Sequence, residues 1–327
     1  RYNTDSNKME VYIGSTWMEV AVSSPNLDGG ARGLFAGMTP DASTDVNTIE
    51  FITISTAGNS QNFGDLTQIR WGLASFASRS RGIFYTGHAT PAAVNTIDFV
   101  TIASTGNATD FGDATDSSST NKGLSNQTRG VNAGGYDPND IIDFVTIAST
   151  GNAVDFGNLA QSTGGGPGGG ASPTRGVFSG GYSPSPSLTS LNTLQFITIA
   201  STGNTQDFGD MAVLRSHNAQ ATSSTRSVLA NGYNKTPSTG NYDNQATSEF
   251  FTFATLGNTT NFGDMLASGF SPGGTSNSVR GVWAGGSGGT NVIQYVNIAS
   301  EGDAVDFGDM TTAGGWVGAC SNGHGGL

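Results

Sequence analysis

The chain has 327 residues, of which 49 are glycine and only 12% are charged, and its formal net charge is −12. Lys occurs three times and Glu five times, so that Asp, which is typical of turns, supplies the remaining 20 of the 25 acidic residues. This composition argues against a helical protein. The negative charge and the lack of a basic stripe exclude nucleic acid as an expected partner, and no apolar run is long enough for insertion into a membrane.

The first 30 residues predict a short β-hairpin module. Residues 9–12 and 16–20 are of strand length and flank an Ile13-Gly-Ser turn. A segment this short cannot bury its aromatic rings alone, so we expect it to pack on a partner chain or on the rest of its own chain. Residues 1–30 and 31–327 are therefore interpreted as two domains.

Three markers recur in step after this module and divide the chain into six units. The first is Phe-Gly-Asp or Phe-Gly-Asn, in copies about 45 to 54 residues apart, beginning at Phe63, Phe111, Phe156, Phe208, Phe262 and Phe307. The second is an arginine before a short apolar stretch, at Arg32, Arg81, Arg129, Arg175, Arg226 and Arg280. The third resembles Asp-Phe-Val-Thr-Ile-Ala-Ser-Thr-Gly-Asn and begins at Glu50, Asp98, Asp143, Gln195, Glu249 and Gln294.

Each unit contains four stretches that read as β-strands separated by turns. In the second unit they cover about residues 72–77, 81–87, 96–102 and 110–114. Six such units predict an all-β fold, a six-bladed β-propeller. The chain enters the first unit at its second strand and supplies another first strand at residues 316–321. We therefore expect the first and last strands of the propeller to pair and close the ring.

Two resemblances extend this prediction. The order of strand, Gly-Gly doublet, strand and aromatic residue resembles the kelch repeat, with Phe-Gly-Asp in place of the usual Trp. The block at residues 96–113 is similar to a repeat of virion structural and tail-fibre proteins of marine phages, including cyanophages, and this likeness covers about residues 31–327. The opening Arg1-Tyr-Asn-Thr, with Tyr12 and Trp17, resembles a module of phage tail fibres that joins a trimeric shaft to a distal head.

The phage resemblance implies a setting for the protein. It places the chain in a virion, in the tail or a fibre and thus outside the cell. It also implies a homotrimer that contacts other virion proteins and a host cell-surface glycan or receptor. The kelch resemblance implies only the architecture, because propellers carry enzymes, adaptors and lectins alike.

Residues suited to catalysis are few. His88, His217 and His324 occupy different positions of the repeat, and Cys320 is the only cysteine. A radical-copper oxidase needs a cysteine cross-linked to tyrosine and several convergent histidines, and a sialidase needs convergent arginines. We therefore expect no catalytic residues, no metal and no cofactor. Calcium at the Asp of Phe-Gly-Asp stays open as an alternative, although no repeat contains a dense Asp loop.

The six phased arginines are interpreted as structural. Six equivalent positions around a ring cannot converge on one substrate. We expect each guanidinium group to bond turn carbonyls or a nearby carboxylate of Asp110, Asp155, Asp207 or Asp306.

The connections between the second and third strands vary in length, which predicts a binding face. They share one face of the propeller with the connections between blades, and variable loops on a rigid scaffold often carry binding sites. The candidate ligand-binding residues on this face are His88, Tyr136, Tyr182, Tyr233, Tyr242 and Asp243. Tyrosine rings with nearby polar groups suit a sugar, although a tyrosine after Gly-Gly can also simply pack on its own loop. The stretch at residues 164–170 is read as a flexible glycine-rich loop.

The function expected from the sequence is non-enzymatic attachment of a phage virion or tail fibre to a host-surface glycan through this variable-loop face. The alternatives are a bacterial secreted or surface adhesin with the same propeller, and a purely structural virion decoration protein. A glycosidase or oxidase on the propeller scaffold is disfavoured by the residues above.

Overall fold

A computed structural model describes residues 2–3, 8–13, 15–19, 31–39, 45–184, 189–235 and 242–327. The chain divides into two compact units, Arg1–Gly30 and Ala31–Leu327. In the first unit, strands Lys8–Ile13 and Thr16–Glu19 pair antiparallel as predicted, and the short strand Tyr2–Asn3 extends the sheet on the Lys8–Ile13 side. Gly14 and Val20, which belong to the predicted hairpin, lie outside the described residues.

The second unit is a six-bladed β-propeller, and each blade is built around an antiparallel sheet of four strands. In the described part of the chain, all regular elements are strands. The strands of each blade are given from the first (inner) to the fourth (outer). Blade 1 is formed by Gly318–Ser321, Arg32–Ala36, Thr48–Thr53 and Gln61–Asp65, blade 2 by Ala74–Ala77, Arg81–Tyr85, Ala92–Thr101 and Thr109–Ser118, and blade 3 by Lys122–Ser125, Arg129–Ala133, Asn139–Thr146 and Val154–Thr163. Blade 4 is formed by Gly168–Ala171, Arg175–Ser179, Thr193–Thr198 and Gln206–Asp210, blade 5 by Ala219–Thr222, Arg226–Ala230, Thr247–Thr252 and Thr260–Asp264, and blade 6 by Gly273–Ser276, Arg280–Ala284, Val292–Asn297 and Val305–Asp309. Two extra short hairpins lie in the connections between second and third strands. One pairs His88–Ala89 with the start of Ala92–Thr101, and the other pairs Tyr233–Lys235 with Tyr242–Asn244.

The ring closes where the sequence predicts. The last strand, Gly318–Ser321, pairs antiparallel with Arg32–Ala36 and becomes the inner strand of the first blade, with Gly318 opposite Ala36. The first blade therefore combines strands from both ends of the propeller, so that it too has an inner strand and a complete sheet of four.

The Phe-Gly-Asp marker joins each blade to the next. Gly106, in the turn after the third strand of blade 2, donates its main-chain N–H to the carbonyl of Phe63 in blade 1 at 2.8 Å. The amide of Asp65 donates to the Asn107 side-chain oxygen at 3.1 Å, so the Ser-Thr-Gly-Asn turn is also used. A Cβ atom on Gly64 would collide with the backbone of Gly106, which explains the glycine of the marker. The same carbonyl latch recurs at Phe111, Phe156, Phe208, Phe262 and Phe307.

The phased arginines also bridge neighbouring blades. Arg129 donates from Nη1 to the carbonyl of Ile199 in the next blade at 2.9 Å, and its guanidinium carbon lies 4.3 Å from the centre of the Phe144 ring. Equivalent carbonyl bonds are made by Arg32, Arg81, Arg175, Arg226 and Arg280. The partners are thus carbonyls of the turn that follows the third strand, and the ion pairs found in the described residues involve other arginines, Arg70 and Arg215.

The hydrophobic core is divided into clusters, most of which lie between adjacent blades. One cluster joins blades 1 and 2 and contains Leu34, Phe63, Phe84 and Val100 together with Cys320. Third strands contribute to this packing from both faces of their sheets. Burial raises the pKa of the Cys320 thiol to about 12, so the single cysteine is an inert core residue.

The glycine-rich stretch is more ordered than expected. Gly168 to Gly170 belong to the inner strand of blade 4, where side chains of neighbouring strands leave no room for a Cβ atom. Gly164 and Tyr182 exchange both main-chain hydrogen bonds at 2.9 Å. The prediction of a flexible loop was wrong, because glycine here allows close packing near the axis.

An aromatic cup on the loop face

The variable connections and the connections between blades meet in a concave cup with a volume of about 630 Å³. Because each sheet is an antiparallel meander, both kinds of connection lie on the same face of the propeller. Twelve residues line the cup: Trp71, Tyr136, Asp137, Pro138, Tyr182, His217, Tyr233, Lys235, Tyr242, Asn244, Phe270 and Trp316. Most of them are aromatic, which suits a ligand with apolar faces and polar edges.

His217 is central to one wall of the cup. Its imidazole lies between the rings of Tyr182 and Tyr233, with centroid distances of 6.3 and 5.0 Å and nearly parallel planes. Phe270 meets Tyr233 edge to face at 5.0 Å. His217 is 6% exposed and Tyr233 is also 6% exposed, so these two rings support the wall rather than offer a free surface.

The opposite wall is a pair of tryptophans. Trp71 and Trp316 meet edge to face with ring centroids 5.5 Å apart, and the ring centroids of Phe270 and Trp316 are 5.8 Å apart. His88 lies behind Trp71: the two residues exchange main-chain hydrogen bonds at 2.8 and 3.1 Å, and their rings are 5.0 Å apart. A continuous series of aromatic contacts therefore joins the two walls.

The most exposed rings of the cup are those of Tyr136 and Tyr242, each 58% exposed. The ammonium of Lys235 lies 5.7 Å from the Tyr242 ring centre and 6.0 Å from that of Tyr182, within cation–π range. Asp137 and Asn244 add acceptor and amide groups at the rim. The cup thus combines rings for stacking with a few separated polar groups.

Burial keeps the imidazole and two of the phenols of the cup uncharged near neutral pH. Burial, aided by the nearby charge of Lys122, lowers the pKa of His217 to about 3. Burial also raises the pKa of Tyr182 and that of Tyr233 above the ordinary range. Tyr182 Oη donates to the main-chain oxygen of Tyr136 at 2.9 Å, and the Nδ1 atom of His217 has no partner. Among the described residues of the cup, no carboxylate is hydrogen-bonded to the His217 imidazole or to a tyrosine hydroxyl.

Four of the six predicted binding residues line the cup, namely Tyr136, Tyr182, Tyr233 and Tyr242. His88 supports Trp71 from behind. Asp243 does not line the cup, and its carboxylate accepts a hydrogen bond from the Gln245 side chain at 3.2 Å.

Sequence reasoning missed eight of the twelve lining residues. Four of them belong to the variable connections but were not singled out, namely Asp137, Pro138, Lys235 and Asn244. The other four, Trp71, His217, Phe270 and Trp316, lie in the connections between blades, which are nearly constant in length and therefore gave no signal of variability. A usable signal was present in the repeat phase, because His217 and Trp316 take the same position after the Phe-Gly-Asp marker.

Within the described residues, no cluster of three or more histidine, cysteine or acidic side chains could hold a metal ion. Also within those residues, no long apolar helix of the kind that crosses a membrane occurs.

The fold and this surface define a six-bladed β-propeller protein with an aromatic cup on its loop face. No protein-family model matches the sequence, and no curated protein matches it either.

Acid should destabilise the propeller through two histidines, of which His217 is buried and His324 half-buried. Burial lowers the pKa of His217 to about 3 and that of His324 to about 4, from 6.5. As the pH falls from 6.5 toward 4, these histidines bind protons in the unfolded chain but stay largely unprotonated in the folded chain. The free energy of unfolding therefore decreases over that pH range. Above pH 6.5 this contribution is constant.

Thermal melts of the wild type and His324→Gln across this range test the expectation. His324 Nε2 contacts the carbonyl of Ala77 at 2.9 Å, a contact that glutamine can in part replace. The melting temperature of the variant should fall less steeply with acid than that of the wild type. Parallel curves for the two proteins would show that His324 does not carry this dependence.

Proposed function

We propose that the protein is a non-enzymatic attachment protein that binds a carbohydrate through the aromatic cup. The observation that carries this proposal is the convergence of exposed and buried rings from several blades in one concave surface. The CH groups of a pyranose ring stack on tyrosine and tryptophan faces, and its hydroxyl groups can pair with Asp137, Asn244 and Lys235.

The chemistry of the cup favours binding over catalysis. An imidazole with its pKa held at about 3 is too weakly basic to accept a proton readily, and phenols with raised pKa values stay protonated, so these groups supply neither an effective general base nor an activated nucleophile near neutral pH. Among the described residues of the cup, no nucleophile and base are hydrogen-bonded to each other, which also supports a binding role.

The setting we propose is the surface of a phage virion, in a tail or fibre, with the host cell-surface glycan as ligand. This step is supported only by the resemblance of the repeat and of the opening module to tail-fibre proteins. The same resemblance supports a homotrimer attached to other virion proteins, which the mass of the intact particle would test. A bacterial adhesin with the same cup would use it in the same way.

Removing the two exposed rings of the cup should strongly weaken carbohydrate binding. In the double variant Tyr136→Ala and Tyr242→Ala, both stacking surfaces are lost, and each ring is worth about 0.5–1.5 kcal/mol beyond its buried area. We expect affinity for any glycan bound by the wild type on an array to fall at least about tenfold, as measured by calorimetry.

Leu256→Ala is the matched control, because Leu256 is also largely exposed, at 57%, but lies in a turn on the opposite face. It should bind like the wild type. The melting temperatures of all three proteins should agree within a few degrees, since none of these side chains is in the core. Undiminished glycan binding by the double variant would remove the cup from the proposed function.

A further inference from the structure

Lys122 stands out on the axis of the propeller. The inner strands of the six blades begin at one equivalent position, occupied by Ala74, Lys122, Gly168, Ala219, Gly273 and Gly318. Five of these residues are alanine or glycine, as expected where six strands crowd around an axis. The sixth projects a long cationic side chain into the axial space.

The ammonium of Lys122 lacks a partner. Among the described residues, its side chain makes no hydrogen bond, ion pair or cation–π contact, whereas Lys235 lies near two tyrosine rings. No carboxylate lines the two small axial cavities that Lys122 borders. Burial lowers the pKa of Lys122 to about 8, so desolvation of this charge is not compensated.

Hydroxyl groups in the same axial space are also unsatisfied. The buried side-chain oxygens of Ser75, Thr120 and Thr275 have no hydrogen-bond partner. Ser75 and Lys122 border a cavity of about 30 Å³, and Thr120 and Lys122 border one of about 10 Å³. Thr275 lines a further axial cavity of about 50 Å³ with Ser75. An unpaired, half-buried cation and three hydroxyl groups without a partner therefore face a narrow axial space.

We propose that this axial space binds a monatomic anion, chloride under ordinary conditions, with Lys122 as its charged ligand and neighbouring hydroxyl groups as donors. An anion neutralises the lysine and accepts hydrogen bonds from the hydroxyl groups at once. Water satisfies the hydroxyl groups but leaves the charge uncompensated. The cavities are of the size of one or two water molecules, which excludes sulfate, phosphate and organic carboxylates.

The site can be tested by the anion dependence of thermal stability. We expect the wild type to melt about 2 °C or more higher in sodium chloride or bromide than in sodium gluconate of equal ionic strength. Lys122→Met, which keeps an unbranched side chain as far as its ε-carbon and removes the ammonium group, should lose this difference. In gluconate the variant should melt no lower than the wild type, because it has no uncompensated charge to bury.

Lys235→Met is the matched control, since it removes the other lysine of the described propeller residues, in the cup. It should keep the full halide effect. Crystals of the wild type soaked in bromide should show an anomalous peak beside Lys122 Nζ. Equal halide effects in the wild type and Lys122→Met, or bromide-soaked crystals without that peak, would overturn the proposal. If Lys122→Met fails to fold, the bromide peak in the wild type decides alone.

Discussion

Removal of the residues after Ala313 is expected to abolish cooperative unfolding of the propeller. The truncation deletes the inner strand of blade 1 and leaves Arg32–Ala36 as an unpaired edge. It also removes Val317 and Cys320 from two core clusters. Each buried apolar side chain contributes about 1.5–3 kcal/mol, and domains of this kind are stable by only about 5–15 kcal/mol.

Calorimetry of the truncated chain is the measurement, and a shorter truncation is its control. Removal of residues 323–327 keeps the strand but deletes His324, which contacts Ser125 and Ala77 across the axis. The shorter truncation should lower the melting temperature moderately while the transition stays cooperative. If the longer truncation melts like the full chain, pairing of the two ends does not hold the ring together.

Breaking the buried ion pair between Arg215 and Glu249 is expected to be the most damaging single substitution outside the hydrophobic core. The two side chains are almost fully buried, with Nη2 and Oε1 2.5 Å apart. Arg215→Met would leave the Glu249 carboxylate buried without its counter-ion, at a cost of about 3–5 kcal/mol in the free energy of unfolding. Urea denaturation measures this loss.

A second substitution, based on another blade of the same protein, should recover part of the lost stability. At the position of Glu249, blade 6 carries Gln294, whose side-chain oxygen accepts the Leu266 amide at 2.8 Å. Glu249 accepts the corresponding amide of Ala212 at 2.9 Å, so glutamine can take over this bond. The double variant Arg215→Met and Glu249→Gln should therefore be clearly more stable than Arg215→Met alone. A double variant as unstable as the single would show that Arg215 acts through packing and not through the charge of Glu249.

Repetition made the fold predictable from the sequence. Six copies of each marker, in constant order, imply six equivalent supersecondary units, and the phase of the repeat located the closing strand at Gly318–Ser321. The partners of the markers were harder to predict. The carbonyl of Ile199 that binds Arg129 lies in the next blade, and its distance along the chain does not reveal that the two meet.

The candidate site was only partly predictable, for a related reason. Its rings come from several blades, and which rim residues converge depends on how each loop folds inward. Tyr136 and Tyr182 follow Gly-Gly doublets and were found by that pattern. Trp71 and Trp316 occupy connections of nearly constant length, so only their position on the same face indicates a role. Lys235 reaches the cup because the Tyr233–Lys235 hairpin turns it there, which no spacing in the sequence encodes.

The inter-blade latches have a consequence for how such a protein can change. The Phe-Gly-Asp carbonyls, the Ser-Thr-Gly-Asn turns and the phased arginines all lie on the face opposite the cup. These hydrogen bonds between neighbouring blades are therefore remote from the loops that would meet a ligand. Substitutions, insertions or whole-loop exchanges at the cup leave every latch intact. The ring can thus serve as a constant scaffold, and new binding specificities can arise when the loops of one blade at a time are replaced.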